Sequence, residues 1–158
     1  MNKIRFTTRY LAEAAVIAAL YAVLTIAIPG GSGQIQIRVS EALTILAFFT
    51  PAAIPGLFVG CFTANVFVGA GPYDIFLGSF ATLLAAYLTW KMPSKYLAPL
   101  PPVIINAVVV AVILKLSFNA PLLLTMGFVA VGELIACYVL GYPLLLLVGK
   151  NRKRIFGK

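Results

Sequence analysis

Three of the four acidic residues in this chain, Glu41, Asp74 and Glu133, lie inside or at the edge of long apolar runs. A carboxylate at the centre of a bilayer costs a few kcal/mol or more, so such residues are rare, face a bundle interior and usually serve a function. Gln36, Arg38, Asn65 and Asn106 sit in the same hydrophobic surroundings. A carboxylate accepts hydrogen bonds from amide, amine or ring N–H groups, a guanidinium donates to a carbonyl or ring nitrogen, and an asparagine does both. A set of this kind reads the polar edge of a small molecule. It is poorly equipped to break bonds: histidine is absent, and there is no Ser/His or Cys/His arrangement for nucleophilic catalysis. Cys61 and Cys137 lack CxxC spacing and lie in apolar runs, which argues against a zinc or haem site and against a disulfide. No GxxxxGK[ST] is present, and Gly141 to Lys150 has the wrong spacing for one, so nucleotide hydrolysis by that route is excluded.

Each polar residue has a plainer reading beside the functional one. Arg38 and Glu41, three apart, form either an interfacial ion pair or a ligand clamp. Asn65 and Asn106 bond either neighbouring backbone or a ligand. Glu133, between Gly132 and Leu134, is the hardest to explain as structure alone. Tyr73, Tyr138 and Tyr142 read as interfacial belt or packing residues. Glu13, one turn after Arg9, reads as a local surface pair.

The elements that must position these groups are membrane spans. The chain is 62% hydrophobic with a mean hydropathy of +1.04 and only 10% charged residues, too few to cover a soluble globule. Its length accommodates one integral membrane domain over residues 1–158. Basic residues precede the first run, but Leu11–Ile28 is 18 residues long, beyond the ~7–15 of a signal-peptide core, so it is read as a retained helix. Pro29 to Gly33 breaks it, and Gln34–Arg38 alternates polar and apolar like a strand or a re-entrant loop. Val39–Phe49 follows, only about 16 Å long as an α-helix. The remaining runs are Gly56–Gly69, Ile75–Trp90, Val103–Phe118 and Leu122–Val148. Charge decides the parity. With six crossings and the N-terminus inside, ten Lys and Arg face inward and only Arg38 and Lys115 face outward, as the positive-inside rule requires. The expected fold is therefore an all-α membrane protein, a six-transmembrane-helix bundle with both termini cytoplasmic. In that topology the polar side chains of helices two to six fall between the outer surface and the midplane. Asn106 and Glu133 lie deepest, about 16–18 Å from the outer ends of their helices. That pattern suits a pocket open to the outside better than a through-pore.

Ala14, Ala18 and Ala22 form a small-residue stripe on the first helix, which permits close helix approach, either within this bundle or against another protein. At Arg38-Val-Ser-Glu-Ala-Leu-Thr, at Phe48-Phe-Thr-Pro-Ala-Ala-Ile-Pro-Gly-Leu-Phe-Val-Gly-Cys and at Tyr73-Asp-Ile-Phe-Leu-Gly-Ser-Phe-Ala-Thr-Leu-Leu-Ala-Ala-Tyr-Leu-Thr, the chain resembles the QueT family of queuosine-precursor transporters. That resemblance covers nearly the whole chain. It implies a substrate-binding S component of an energy-coupling factor (ECF) transporter, which captures a 7-deazaguanine such as preQ1, preQ0 or queuine. It implies as partners a transmembrane coupling protein and two cytoplasmic ATPases, with ATP used by those subunits and no cofactor or metal in this one. It also favours the docking reading for Ala14, Ala18 and Ala22. The implied ligand agrees with the residues: the ring N–H and exocyclic amine suit a carboxylate, and the carbonyl suits Arg38 or an asparagine. The expected substrate-binding set is Gln36, Arg38, Glu41, Asn65, Asp74, Asn106 and Glu133. The competing readings are an S component for another vitamin-like molecule, a small proton or ion channel, and a membrane enzyme of lipid metabolism. Nucleic acid is not an expected partner, because the basic residues sit at segment ends facing anionic lipid.

Overall fold

The computed structural model describes residues 7–28 and 38–156. Helix α1, Thr8–Ala27, is capped by the Thr7 side chain, which accepts from the Tyr10 N–H at 3.3 Å. Ile17, Tyr21 and Thr25, spaced by four, turn inward, while Leu11, Val16, Leu20, Val23 and Ile26 are exposed. That outer face is what a lipid-facing span requires. Next comes a 3-10 helix, Val39–Phe48, followed by α2, Ala53–Phe67. A π-wound turn, Asp74–Gly78, leads into α3, Ser79–Lys91. Helix α4, Leu100–Phe118, starts with Pro101 and Pro102 in its first turn, where the missing N–H costs nothing. It ends at Asn119 in the left-handed conformation, φ 53°. Helix α5 spans Leu122–Lys150 and contains a π-wound stretch, Ile135–Gly141. Pro143 just beyond removes an N–H from the ladder, which accounts for the altered winding there. A short α6, Arg152–Phe156, closes the chain. No strand occurs among the described residues, and residues 34–37, read as strand-like or re-entrant, lie outside them.

Contacts fix the directions of these passes. Arg9, Glu13, Thr50, Pro51 and Ile155 meet at one end: Tyr10 Oη donates to Pro51 O at 3.4 Å, Thr50 Oγ1 to Glu13 Oε2 at 2.8 Å, and Arg9 Nη2 to Ile155 O at 3.4 Å. Arg38, Asn65 and Asp74 meet at the other. Successive segments therefore alternate in direction. Helices α1, α4 and α5 are long and apolar enough to cross a membrane.

The 3-10 segment is the central element. Ser40 through Ala47 are all buried, so it is enclosed on every side. A 3-10 helix rises ~2.0 Å per residue, so its ten residues reach about 20 Å where an α-helix would reach about 15 Å. Its threefold repeat gives three faces. Ser40 meets α1, Ala42 and Ile45 meet Gly141 of α5, and Glu41 lies between them.

Helices α1 and α2 run parallel at very short range. A Cβ built on Gly56 would lie 2.6 Å from the Ala14 carbonyl oxygen, and one on Gly60 would lie 2.8 Å from that of Ala18. The close approach expected of Ala14 and Ala18 is thus spent inside this bundle. Ala22 is half-buried, and the alanines left exposed on α1 are Ala12, Ala15, Ala19 and Ala27.

Candidate functional site

The end of the bundle where Arg38, Asn65 and Asp74 meet encloses a polar pocket lined by Arg38, Glu41, Asp74, Gly78, Thr82, Asn106, Val110, Val129 and Glu133. Arg38 enters from the start of the 3-10 segment and donates through Nη2 to Asn65 Oδ1 at 2.8 Å. Asn65, completely buried in α2, in turn donates to the Asp74 carbonyl oxygen at 2.9 Å and thereby holds the π-wound turn in place. Glu41, 1% exposed, accepts on Oε1 from the hydroxyl of Tyr21 in α1. On the opposite wall, Asn106 of α4 donates to Glu133 Oε1 of α5 at 3.1 Å. The Cys137 thiol faces Glu133 Oε2 at 3.7 Å. Asn106 also reaches toward Glu41 but meets hydrogen-bonding geometry only with Glu133. Val110 and Val129 supply the apolar part of the wall.

Five of the expected residues, Arg38, Glu41, Asp74, Asn106 and Glu133, therefore line one cavity, and Asn65 holds two of its walls. Gln36 lies outside the described residues. Of the two readings for Arg38 and Glu41, the ion pair does not form: among the described residues the one ion pair within 4.0 Å is Arg9–Glu13. A 3-10 turn carries Glu41 inward to Tyr21, while Arg38, ahead of the helix, turns to Asn65. Glu41 is accordingly a core residue and not a boundary one. Sequence reasoning missed Tyr21 and Thr82. Tyr21 was detectable as a phenol deep within a span, far from the interfacial belt and in register with Ile17 and Thr25. The hydroxyl of Thr82 bonds the Gly78 carbonyl at 3.2 Å and contacts Cys61 Sγ at 3.5 Å.

The cavity is narrow. It leaves about 40 Å³ for the centres of water-sized molecules, within about 500 Å³ of space that includes its opening. The first figure holds about three waters and is well below the roughly 300–1,000 Å³ of small-molecule sites. No three side chains among the described Cys, Asp and Glu residues are placed to share a metal ion.

A helical bundle with apolar outer surfaces and a buried pocket of acceptors and donors has the build of a multi-pass membrane protein. The family model described as QueT transporter matches residues 11–150. Among curated proteins, the Queuosine precursor transporter QueT of Lactococcus lactis subsp. cremoris (strain MG1363) is 32% identical over 143 residues, which cover 79% of this chain and 83% of that relative. The chain belongs to the QueT transporter family. It is a transporter and not an enzyme. No solved structure matches it.

Proposed function

We propose that the chain is the substrate-capturing S component of an ECF transporter, with six crossings and both termini cytoplasmic, and that its ligand is a 7-deazaguanine queuosine precursor. The name of the Lactococcus relative supports the ligand class. The observation that carries the reading is the pairing of Asn106 with Glu133 across from Arg38 and Asn65 in one buried pocket. Glu133 accepts from the ring N–H and exocyclic amine of the base. Arg38, with only Nη2 engaged by Asn65, donates to the ring carbonyl. Val110 and Val129 pack on the flat faces of the base. The narrow void requires the walls to part for a bicyclic base to be admitted, and the Arg38 segment and the π-wound turn are the walls nearest the outside.

Capture of this kind needs no nucleotide and no cofactor in this chain. A transmembrane coupling protein and two cytoplasmic ATPases complete the proposed complex. With the Ala14 and Ala18 backbones facing α2, the proposed coupling contact moves to the exposed small residues Ala12, Ala15 and Ala19. The test is a calorimetric titration of the detergent-purified chain, without ATP, against 7-deazaguanines, riboflavin and thiamine. One deazaguanine per monomer is expected. Binding of an unrelated vitamin alone would reject the ligand while leaving the S-component reading intact.

A further inference from the structure

Glu41 is only half satisfied. Its Oε1 accepts from Tyr21, but among buried side-chain oxygens and nitrogens of the described residues, Oε2 is the one without a hydrogen-bond partner. Buried polar atoms are almost always paired, because an orphan forfeits its hydration with no return. This atom belongs to a side chain that lines the pocket and is 1% exposed. Its neighbours deepen the deficit. Three carboxylates, Glu41, Asp74 and Glu133, line the cavity with a single cation, Arg38. That guanidinium bonds Asn65, and no cationic side chain among the described residues comes within 4.0 Å of any of the three. Asp74 is only half-buried and keeps some access to water. Glu133 has Asn106 on one oxygen and the Cys137 thiol near the other. Among the described residues, Glu41 alone keeps a buried side-chain acceptor unpaired, at a site lined by three carboxyl groups and one guanidinium.

We infer that the ligand carries a protonated amine and that its ammonium group seats on Oε2 of Glu41, so that the protein selects amine-bearing 7-deazaguanines over neutral ones of the same size. This rests on the deazaguanine reading above and narrows it. An ammonium is donor-only, which suits an acceptor with no donor of its own, and a charge-assisted bond in a low-dielectric pocket is shorter and about twice as strong as a neutral one. A neutral side arm such as a nitrile brings no donor and leaves the orphan oxygen unpaired. Tyr21 holds the Glu41 carboxylate by its first oxygen and leaves the second for the ligand.

The experiment compares three ligands sharing one deazaguanine ring, with 7-aminomethyl, 7-hydroxymethyl and 7-cyano arms, by titration against the purified wild-type chain and Glu41→Gln. Wild type should bind the aminomethyl compound at least tenfold more tightly than the near-isosteric hydroxymethyl compound, and more tightly still than the nitrile. In E41Q the aminomethyl preference should collapse to within about threefold, while hydroxymethyl binding changes little. Equal wild-type affinities for the amine and the alcohol would overturn the inference without any variant having to fold. A preference that persists in E41Q would place the ammonium on another group and overturn it equally. Failure of all three ligands to bind wild type would instead remove the deazaguanine reading itself, and this inference with it.

Discussion

Replacing Glu133 by glutamine isolates the contact proposed for the edge of the base. In wild type, Oε1 is held by Asn106 at 3.1 Å and Oε2 meets a thiol at 3.7 Å, a weak contact that a stronger donor readily displaces. The glutamine carbonyl can keep the Asn106 bond, so its amide NH₂ must turn toward the cavity. There it faces a ring N–H and an exocyclic amine, donor against donor. One hydrogen bond to a charged group is lost, worth about 1.5–3 kcal/mol. That corresponds to a Kd raised about 10- to 150-fold. Folding should not suffer, because the change keeps the side chain's shape and leaves the Asn106 bond in place. The assay is calorimetry on the purified variant, with thermal melting in the same detergent as a control. A variant that melts like wild type and binds within twofold of it would show that Glu133 does not touch the ligand.

Gly60→Ala should lower stability by about 1–3 kcal/mol, because the new Cβ meets the Ala18 carbonyl oxygen at 2.8 Å and Tyr21 Cβ at 2.9 Å, both on a helix that cannot give locally. Thermal melting checks this against Gly127→Ala, where nothing lies within 4 Å and little change is expected. Ala19→Trp, on the exposed face of α1, should abolish uptake in cells yet leave binding by the purified chain intact. Ala14→Trp should instead damage both, since its backbone packs on Gly56. Equal behaviour of the two tryptophan variants would refute this division of the helix into an inner and an outer face.

The pocket was largely legible because the membrane makes polar residues conspicuous. Arg38, Glu41, Asn65, Asp74, Asn106 and Glu133 stand out against apolar neighbours, and the cost of facing lipid forces them toward one another. The partner of each one was not legible. Whether Arg38 reaches Glu41 or Asn65 depends on the winding of the next turn, and nothing in Val39–Phe48 announces a ten-residue 3-10 helix. Runs of that length are uncommon and here depend on enclosure by the surrounding helices. The alanine stripe shows a second limit. Spacing by four identified Ala14 and Ala18 as a close-approach surface but not what approaches it. The answer lay in Gly56-Leu57-Phe58-Val59-Gly60, a small-residue pair at the same spacing on α2.

The depth at which polarity ends bears on how such a protein can work. On the side of the pocket away from its opening, Ile45, Leu57 and Leu145 are completely buried, and Leu46, Phe49 and Val148 pack around them in one cluster. A water-filled path to the other face would have to pull those side chains from their neighbours. At about 1.5–3 kcal/mol for each large apolar side chain wetted, exposing Ile45, Leu57 and Leu145 alone costs on the order of 5–9 kcal/mol. A ligand that binds the closed pocket gains nothing from that opening, and a ligand shifts an equilibrium only by its differential affinity for the two states. That cost favours the proposed capture reading over the channel reading. On the capture reading, inward release needs work from outside the chain. In the proposed complex that work comes from the ATPases through the coupling protein, and α1 is suited to receive it: its outer face offers Ala15 and Ala19 to a partner, while Tyr21 on its inner face holds the Glu41 carboxylate.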